Sequence, residues 1–313
     1  MIVSDYHNLS SNFDSDISND NTFDWHLDSE KYTNQQIGEM PNWIKSNKAI
    51  FQQEHMQIDH NIDINNFSDR QKLAYDIVIA HSNASMKEPL LFIINVDAGT
   101  GKSYLINSLR TYLGNRCIIS ATTGKAAYNI NGVKVHSVLN LPIASRSQRA
   151  LTGESLSRLQ NSILNVEYLL IDEYSMLGQT TFGWIDQRCR QATGKQQQLF
   201  GGISIILVGD PAKLPPVCDK PLYHSKPSNQ VGEQGHIAYH IFDKVVILTV
   251  NQRVKGSNSE QVLFRQLLSR LRDGETTEDD WKCLLKRQPA NIKDIISFKN
   301  VTRLYYSNDN VAK

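Results

Sequence analysis

The stretch Asn95-Val96-Asp97-Ala98-Gly99-Thr100-Gly101-Lys102-Ser103 constrains this chain more than any other. It follows the apolar run Leu90-Leu91-Phe92-Ile93-Ile94 and precedes Tyr104-Leu105-Ile106-Asn107-Ser108-Leu109-Arg110, whose apolar residues recur at helical spacing. A strand, a glycine-rich turn ending in Gly-Lys-Ser, and a helix together form the setting of a phosphate-binding P-loop. The glycines let successive backbone N–H groups curl round an anion at the positive end of the helix. Gly99, Thr100, Gly101, Lys102 and Ser103 are thus the candidate cradle. Lys102 is placed to reach phosphate oxygens and the Ser103 hydroxyl to take a position on Mg²⁺. A chance Gly-Lys-Ser in a surface loop would have neither flank. Val96 stands where the motif usually has its first glycine, and a β-branched residue disfavours a left-handed backbone there.

Further apolar runs follow at Arg116 to Ala121, Val166 to Ile171, Ile203 to Val208 and Val245 to Val250. Near-continuous Val, Ile and Leu is the pattern of parallel strands covered on both faces. The stretches between them predict helices, so the fold class is a doubly wound α/β domain with ligands at the C-terminal strand ends. Upstream, Ser68 or Asp69 can cap a helix that puts Leu73, Ile77 and Ala80 on one face. Downstream, Phe264, Leu267, Leu268 and Leu271 share a helical face that Asp273-Gly274 ends. Thr277-Glu278-Asp279-Asp280 reads as a capping box for another helix, and Val301 to Tyr306 as one more strand.

Two strand tips carry acids. The run Leu169-Leu170-Ile171 leads into Asp172-Glu173-Tyr174-Ser175-Met176, and a carboxylate pair at the end of a buried strand is costly unless a cation or a reaction needs it. Beside a P-loop, Asp172 would hold Mg²⁺, directly or through water, and Glu173 would orient and deprotonate an attacking water. Tyr174 reads as a packing residue. The fourth run leads to Gly209-Asp210, followed by Leu214-Pro215-Pro216-Val217.

Taken in order, these motifs resemble those of the PIF-one-like DNA helicases, the RecD-like branch of superfamily one that includes Helitron-type elements. The resemblance runs from about Phe67 to the C-terminus. Gln71 matches the glutamine that reads adenine, and Gly99 to Ser103 match the P-loop. Thr123, Gly124 and Lys125, with His136 and Ser137, match the segment that contacts single-stranded DNA. Asp172 and Glu173 match the Mg²⁺ and water-activating motif, and Phe200-Gly201-Gly202 with Asp210 match the next. Leu248-Thr249 with Asn251 and Arg253 match the start of a second RecA-like domain, where the arginine reaches the γ-phosphate. The resemblance implies a RecA-like P-loop NTPase domain at 67–245, a wedge insertion at 139–165 and a partial second RecA-like domain at 246–313. Its catalytic residues would be Lys102, Asp172, Glu173 and Arg253. It implies ATP and Mg²⁺ as cofactors, and a monomer that moves 5′→3′ along single-stranded DNA and meets duplex junctions. Roles in DNA repair, recombination and telomere maintenance would follow, with residence in the nucleus or the mitochondrion. Lys213 departs from the family's usual glutamine. The family's last two motifs are absent, so the alternative is a truncated fragment that binds nucleotide or DNA without unwinding.

The rest of the chain is blander. Residues 1–66 are rich in Asn, Asp, Ser and Gln, and read as a disordered tail with a short helix near Trp43 and Ile44. Met1 to Lys31 holds seven acids (Asp5, Asp14, Asp16, Asp20, Asp24, Asp28, Glu30) and one base. Taking these from the chain's 32 acids and 33 bases leaves 25 acids and 32 bases, a modestly basic body that permits a polyanion partner. No run approaches a membrane span, no secretory leader opens the chain, and the expectation is an intracellular protein. Cys117, Cys189, Cys218 and Cys283 lack metal spacing and read as buried thiols. Trp184, Trp281 and Phe264 read as core, His136 as packed or surface without the resemblance, and Arg270 and Arg272 as a solvated helix face.

Overall fold

A computed structural model describes residue 35 and residues 63–86, 88–97, 99–142, 150–251 and 258–286. The first helix, α1 (Asp69–Asn83), is capped by Ser68, whose hydroxyl accepts from Gln71 N–H while the Gln71 side chain accepts from Ser68 N–H. It leads to β1 (Leu91–Val96) and α2 (Lys102–Leu113), then β2 (Cys117–Ala121), α3 (Gly124–Asn129), β3 (Val133–Lys134) and the single turn α4 (Val135–Val138). Next come α5 (Gly153–Ser162), β4 (Tyr168–Asp172), α6 (Gln179–Thr193), β5 (Ser204–Gly209), α7 (Gln230–His240) and β6 (Lys244–Leu248). Helices α8 (Ser259–Asp273) and α9 (Glu278–Leu285) close the described chain.

The strands form one six-stranded sheet in the order β3-β2-β4-β5-β1-β6, with every pairing parallel. The expected parallel α/β architecture is therefore present. Register aligns the strand tips: Asn95 pairs with Gly209 and with Ile247, and Asp172 with Val208 and with Ala121. The P-loop and both acidic tips consequently leave the sheet along one edge.

Alternation along the strands divides the core in two. Phe92, Ile94, Leu170, Ile206 and Val208 pack on one face with Leu105, Ile106 and Leu109 of α2. Ile93, Leu169, Ile171, Ile205 and Leu207 pack on the other with Phe182 and Ile185 of α6. Burying each such side chain fully contributes about 1.5–3 kcal/mol, which makes the central strands a stiff base for the residues at their tips.

Several expectations shift. The buried stripe of α1 is Gln71, Ala74, Tyr75, Val78 and Ser82, and Leu73 stays exposed. Tyr75 rotates this stripe inward by packing edge-on against Phe67 and Tyr112. β6 pairs with β1 throughout its length, so the boundary drawn between 245 and 246 runs through a strand of this sheet. On α8 only Leu267 is buried, whereas Phe264, Leu268 and Leu271 are about half exposed. Trp184 is core but Trp281 is 61% exposed. Cys189 is buried, Cys117 is half-buried, and Cys218 and Cys283 are exposed. The helix near Trp43, residues 143–149 of the insertion, and the strand at Val301 to Tyr306 lie outside the described residues, as does Arg253; the rest of the insertion carries α5.

Candidate phosphate site

The P-loop is built by backbone geometry. Val96 ends β1 as a buried, strand-paired residue beside Leu248, so no left-handed conformation is asked of it. That task falls to Gly99 and Gly101, with φ of 82° and 80°. Thr100 pins the turn, its N–H and hydroxyl both donating to Asp97 C=O, and Gly101 caps α2. Lys102 and Ser103 then occupy the first turn of α2, where free N–H groups and the helix dipole favour an anion. A cavity of about 360 Å³ opens here, lined by this loop, Asp172, Glu173, Lys213 and the Ala126–Ile130 side of α3.

Charge converges on the cavity. The Lys102 ammonium lies 2.8 Å from Asp172 Oδ1 and also bonds Glu173 Oε1. Lys213 Nζ stands 3.2 and 3.3 Å from the two Glu173 oxygens. Glu173 itself sits in the left-handed region, with φ 54° and ψ 48°, a conformation uncommon for a residue with a side chain. Gly209 makes room for that bend, because a Cβ there would lie 3.0 Å from Tyr174 N. The Tyr174 hydroxyl donates to Asn95 Oδ1 at 2.6 Å, tying the β4 exit to β1.

Protonation follows from these contacts. Burial works against the Lys102 ammonium, but Asp172 and Glu173 outweigh it and hold its pKa above the ordinary value. Burial likewise opposes ionisation of Glu173, and Lys102 and Lys213 reverse that, holding its carboxyl below the usual range. Asp172 is raised, since burial there exceeds the help from Lys102. The site therefore pairs two ammonium groups with a glutamate made less basic by them. A phosphate entering the cavity would compete for both lysines and release that glutamate.

The other expected residues fall in distinct places. Asp210 caps the tip of β5, 4% exposed, and is gripped by both arms of Arg272 from α8. That grip overturns the reading of Arg272 as a solvated face, and Arg270 is likewise bound to Asp280. Gln71 is buried with its amide fully engaged: it closes the α1 cap and donates to Thr100 C=O at 3.1 Å and Gly101 C=O at 3.3 Å. Thr123 caps α3, Gly124 and Lys125 are exposed at its start, and the Lys125 ammonium lies over the Tyr128 ring. His136 is half-buried on α4, its imidazole kept neutral-leaning by burial and by Lys134, and Ser137 is exposed beside it. Thr122 Oγ1 donates to Glu173 C=O at 3.1 Å, so the α3 start adjoins the acidic tip.

ATP and Mg²⁺ fit what is present. The cradle offers backbone donors and two ammonium groups to phosphates. Among the described residues no three His, Cys, Asp or Glu converge as a metal cage. Ser103 and Asp172 supply few ligands, as an Mg²⁺ that also takes phosphate oxygens and water requires.

Comparison with known proteins agrees with this geometry. A family model described as PIF1-like helicase matches residues 66–282. The ATP-dependent DNA helicase PIF5 of Trypanosoma brucei brucei is 29% identical over 230 residues, covering 66% of this chain and 24% of the relative. The ATP-dependent DNA helicase Pif1 of Bdellovibrio bacteriovorus is 34% identical over 186 residues, covering 58% of this chain and 39% of the relative. Among solved structures, the Bacteroides Pif1 helicase in complex with ADP-AlF3 and single-stranded DNA superposes with a TM-score of 0.55. It is 24% identical and covers 73% of this chain and 52% of its own, a likeness that shows the fold. The chain thus spans about half of that structure and between about a quarter and two fifths of those curated relatives.

Proposed function

The chain belongs to the PIF1-like helicase family, and from that premise we propose that it hydrolyses ATP as the motor lobe of an ATP-dependent DNA helicase. The observation that carries the proposal is Lys102 resting on Asp172 and Glu173 at the mouth of the P-loop cavity. Backbone donors of Gly99 to Ser103 would bind the phosphates, and Lys102 would move from the carboxylates onto them. Mg²⁺ held by Ser103 and Asp172 would neutralise developing charge on the phosphoryl oxygens. Glu173, relieved of its lysines, regains basicity and accepts a proton from the attacking water. Arg253 would supply a further cation from the segment after β6.

The DNA strand would run over Thr123, Gly124, Lys125, His136 and Ser137, which adjoin the acidic tip through Thr122. Cleft opening and closing would then move the strand, in the 5′→3′ direction that the family resemblance implies, at single-stranded tails and forks. Repair, recombination and telomere maintenance, in the nucleus or mitochondrion and as a monomer, belong to the same proposal. A second reading is a nucleotide- and DNA-binding fragment that does not unwind. The chain spans only part of those relatives' length, so unwinding is the part of the proposal that needs its own test.

Hydrolysis measured with and without single-stranded DNA, beside strand separation on a 5′-tailed duplex, decides between them. DNA-stimulated hydrolysis with unwinding supports the helicase, whereas hydrolysis without unwinding supports the fragment. Lys102→Ala should lower turnover by more than about 100-fold with an unchanged circular dichroism spectrum. Wild-type turnover in that variant would remove the P-loop from the mechanism.

A further inference from the structure

Arg272 stands in the last turn of α8, far along the chain from the tips of β1 and β5, yet it is bound to acids at both. Its Nε donates to Asp210 Oδ2 at 3.1 Å and its Nη2 to Asp210 Oδ1 at 2.9 Å, a fork only a guanidinium makes. The same Nη2 lies 3.4 Å from Asp97 Oδ1, at the head of the P-loop. One side chain thus spans the tips of β1 and β5. Asp210 in turn fixes the turn that follows it: Oδ1 accepts from Ala212 N–H at 3.0 Å and its C=O accepts from Lys213 N–H at 3.1 Å. That turn presents Lys213 to Glu173. An unbroken line of polar contacts therefore joins α8 to the residue that would activate water.

A plain docking tie for α8 would leave these distances unexplained only if the helix had another anchor, and Leu267 is its one buried apolar side chain. The two roles differ in consequence. A tie that merely docks the helix affects stability, whereas a strut that sets Glu173 affects turnover at constant nucleotide affinity. The guanidinium rests on Asp210 and Asp97 and does not itself line the cavity, so its route to the site runs through those acids.

We propose that Arg272 is a positioning residue of the phosphate site, setting the Asp210–Lys213 turn and hence Glu173, so that the segment after β6 governs turnover. The inference rests on the ATP-hydrolysis reading for its catalytic consequence, but not for the contact line itself. The test uses the full 313-residue chain and the variants Arg272→Ala, Arg272→Lys and Arg270→Ala. Steady-state hydrolysis is read beside the rate at which acetic anhydride acetylates Lys213, followed by mass spectrometry. Arg272→Ala should lower kcat about tenfold with KM for ATP held within about twofold. Arg272→Lys should recover part of the loss. Arg270→Ala, on the same helix, should keep the wild-type kcat. Lys213 should become acetylated several times faster in Arg272→Ala and not in Arg270→Ala. Equal losses of kcat in the two alanine variants, or an unchanged Lys213 rate in Arg272→Ala, would overturn the proposal. A wild-type chain inert toward ATP would sink the hydrolysis reading alone, and the Lys213 rate would still decide whether Arg272 sets the turn.

Discussion

The central strands β4 and β5 and the later segment β6, α8 and α9 bury their residues in opposite ways. Every residue of β4 and β5 is buried, and their acidic tips stand on that base. In β6 only Val246 and Leu248 are buried, with Val245 and Ile247 half exposed. In α8 and α9, Leu263, Phe264, Leu268, Leu271 and Trp281 are all exposed beyond two fifths. β6 is held by its ladder to β1, whereas what holds α8 and α9 is mainly charge and caps: Arg272 on Asp210, Arg270 on Asp280, and the box that Thr277 and Asp280 close. The difference teaches where rigidity is placed. The strands that must hold carboxylates against lysines are fixed by apolar burial, whereas the helices beyond are attached by a few directional bonds to the buried carboxylates Asp210 and Asp280.

The largest test of that contrast is Leu170→Ala, which empties a site with no exposure in the middle of β4. Cavity formation there should cost about 2–5 kcal/mol in urea unfolding, and a loss under about 1 kcal/mol would show the central sheet to be far more pliant than its packing implies. A smaller effect concerns charge. Burial opposes ionisation of Glu173, yet Lys102 and Lys213 depress its pKa on folding. Its stabilisation is therefore complete above the ordinary carboxylate pKa, and is lost as pH falls through the depressed folded value. Glu173→Gln should remove this component, so wild type should lose more unfolding midpoint than the variant on going from about pH 5 to about pH 3. Parallel acid profiles would mean that the lysine contacts add nothing to folding.

The contrast also divides what the sequence made legible. Apolar runs announced five of the six strands and both acidic tips, because burial on two faces leaves a compositional mark. β3 has two exposed residues and leaves none. Gly99 to Ser103, Asp172 and Glu173 were found together because the chemistry of a phosphate cradle fixes their residue types. The contacts of Gln71 and Arg272 were not foreseen: the first is engaged by a cap and two carbonyls, the second by a carboxylate 62 residues away. Periodicity cannot report either partner. Nor could it report the crossing of α6 and α7, where Gly235 approaches Gln179 so closely that a Cβ would lie 1.9 Å from its carbonyl oxygen. A contact made by missing side chains has no apolar signature. The expected α8 face failed for a related reason, since helical spacing identifies a shared face without saying whether anything covers it.

The smallest expected effect falls on that face. Leu268 and Leu271 are 45% and 51% exposed, so about half of each side chain already meets water in the folded chain and only the remainder is lost from burial when they are made polar. Leu268→Ser should lower unfolding free energy by about 1 kcal/mol, roughly half the contribution of a fully buried leucine. Helix propensity accounts for a few tenths of a kcal/mol of it, because serine is a poorer helix former than leucine. Leu267→Ala, one position earlier and 2% exposed, is the matched control and should cost about 2 kcal/mol or more. Similar losses at the two positions would mean that the outer face of α8 is covered in solution. A small loss at Leu268 beside a large one at Leu267 would confirm that one buried leucine and a set of charged bonds hold α8 to the sheet.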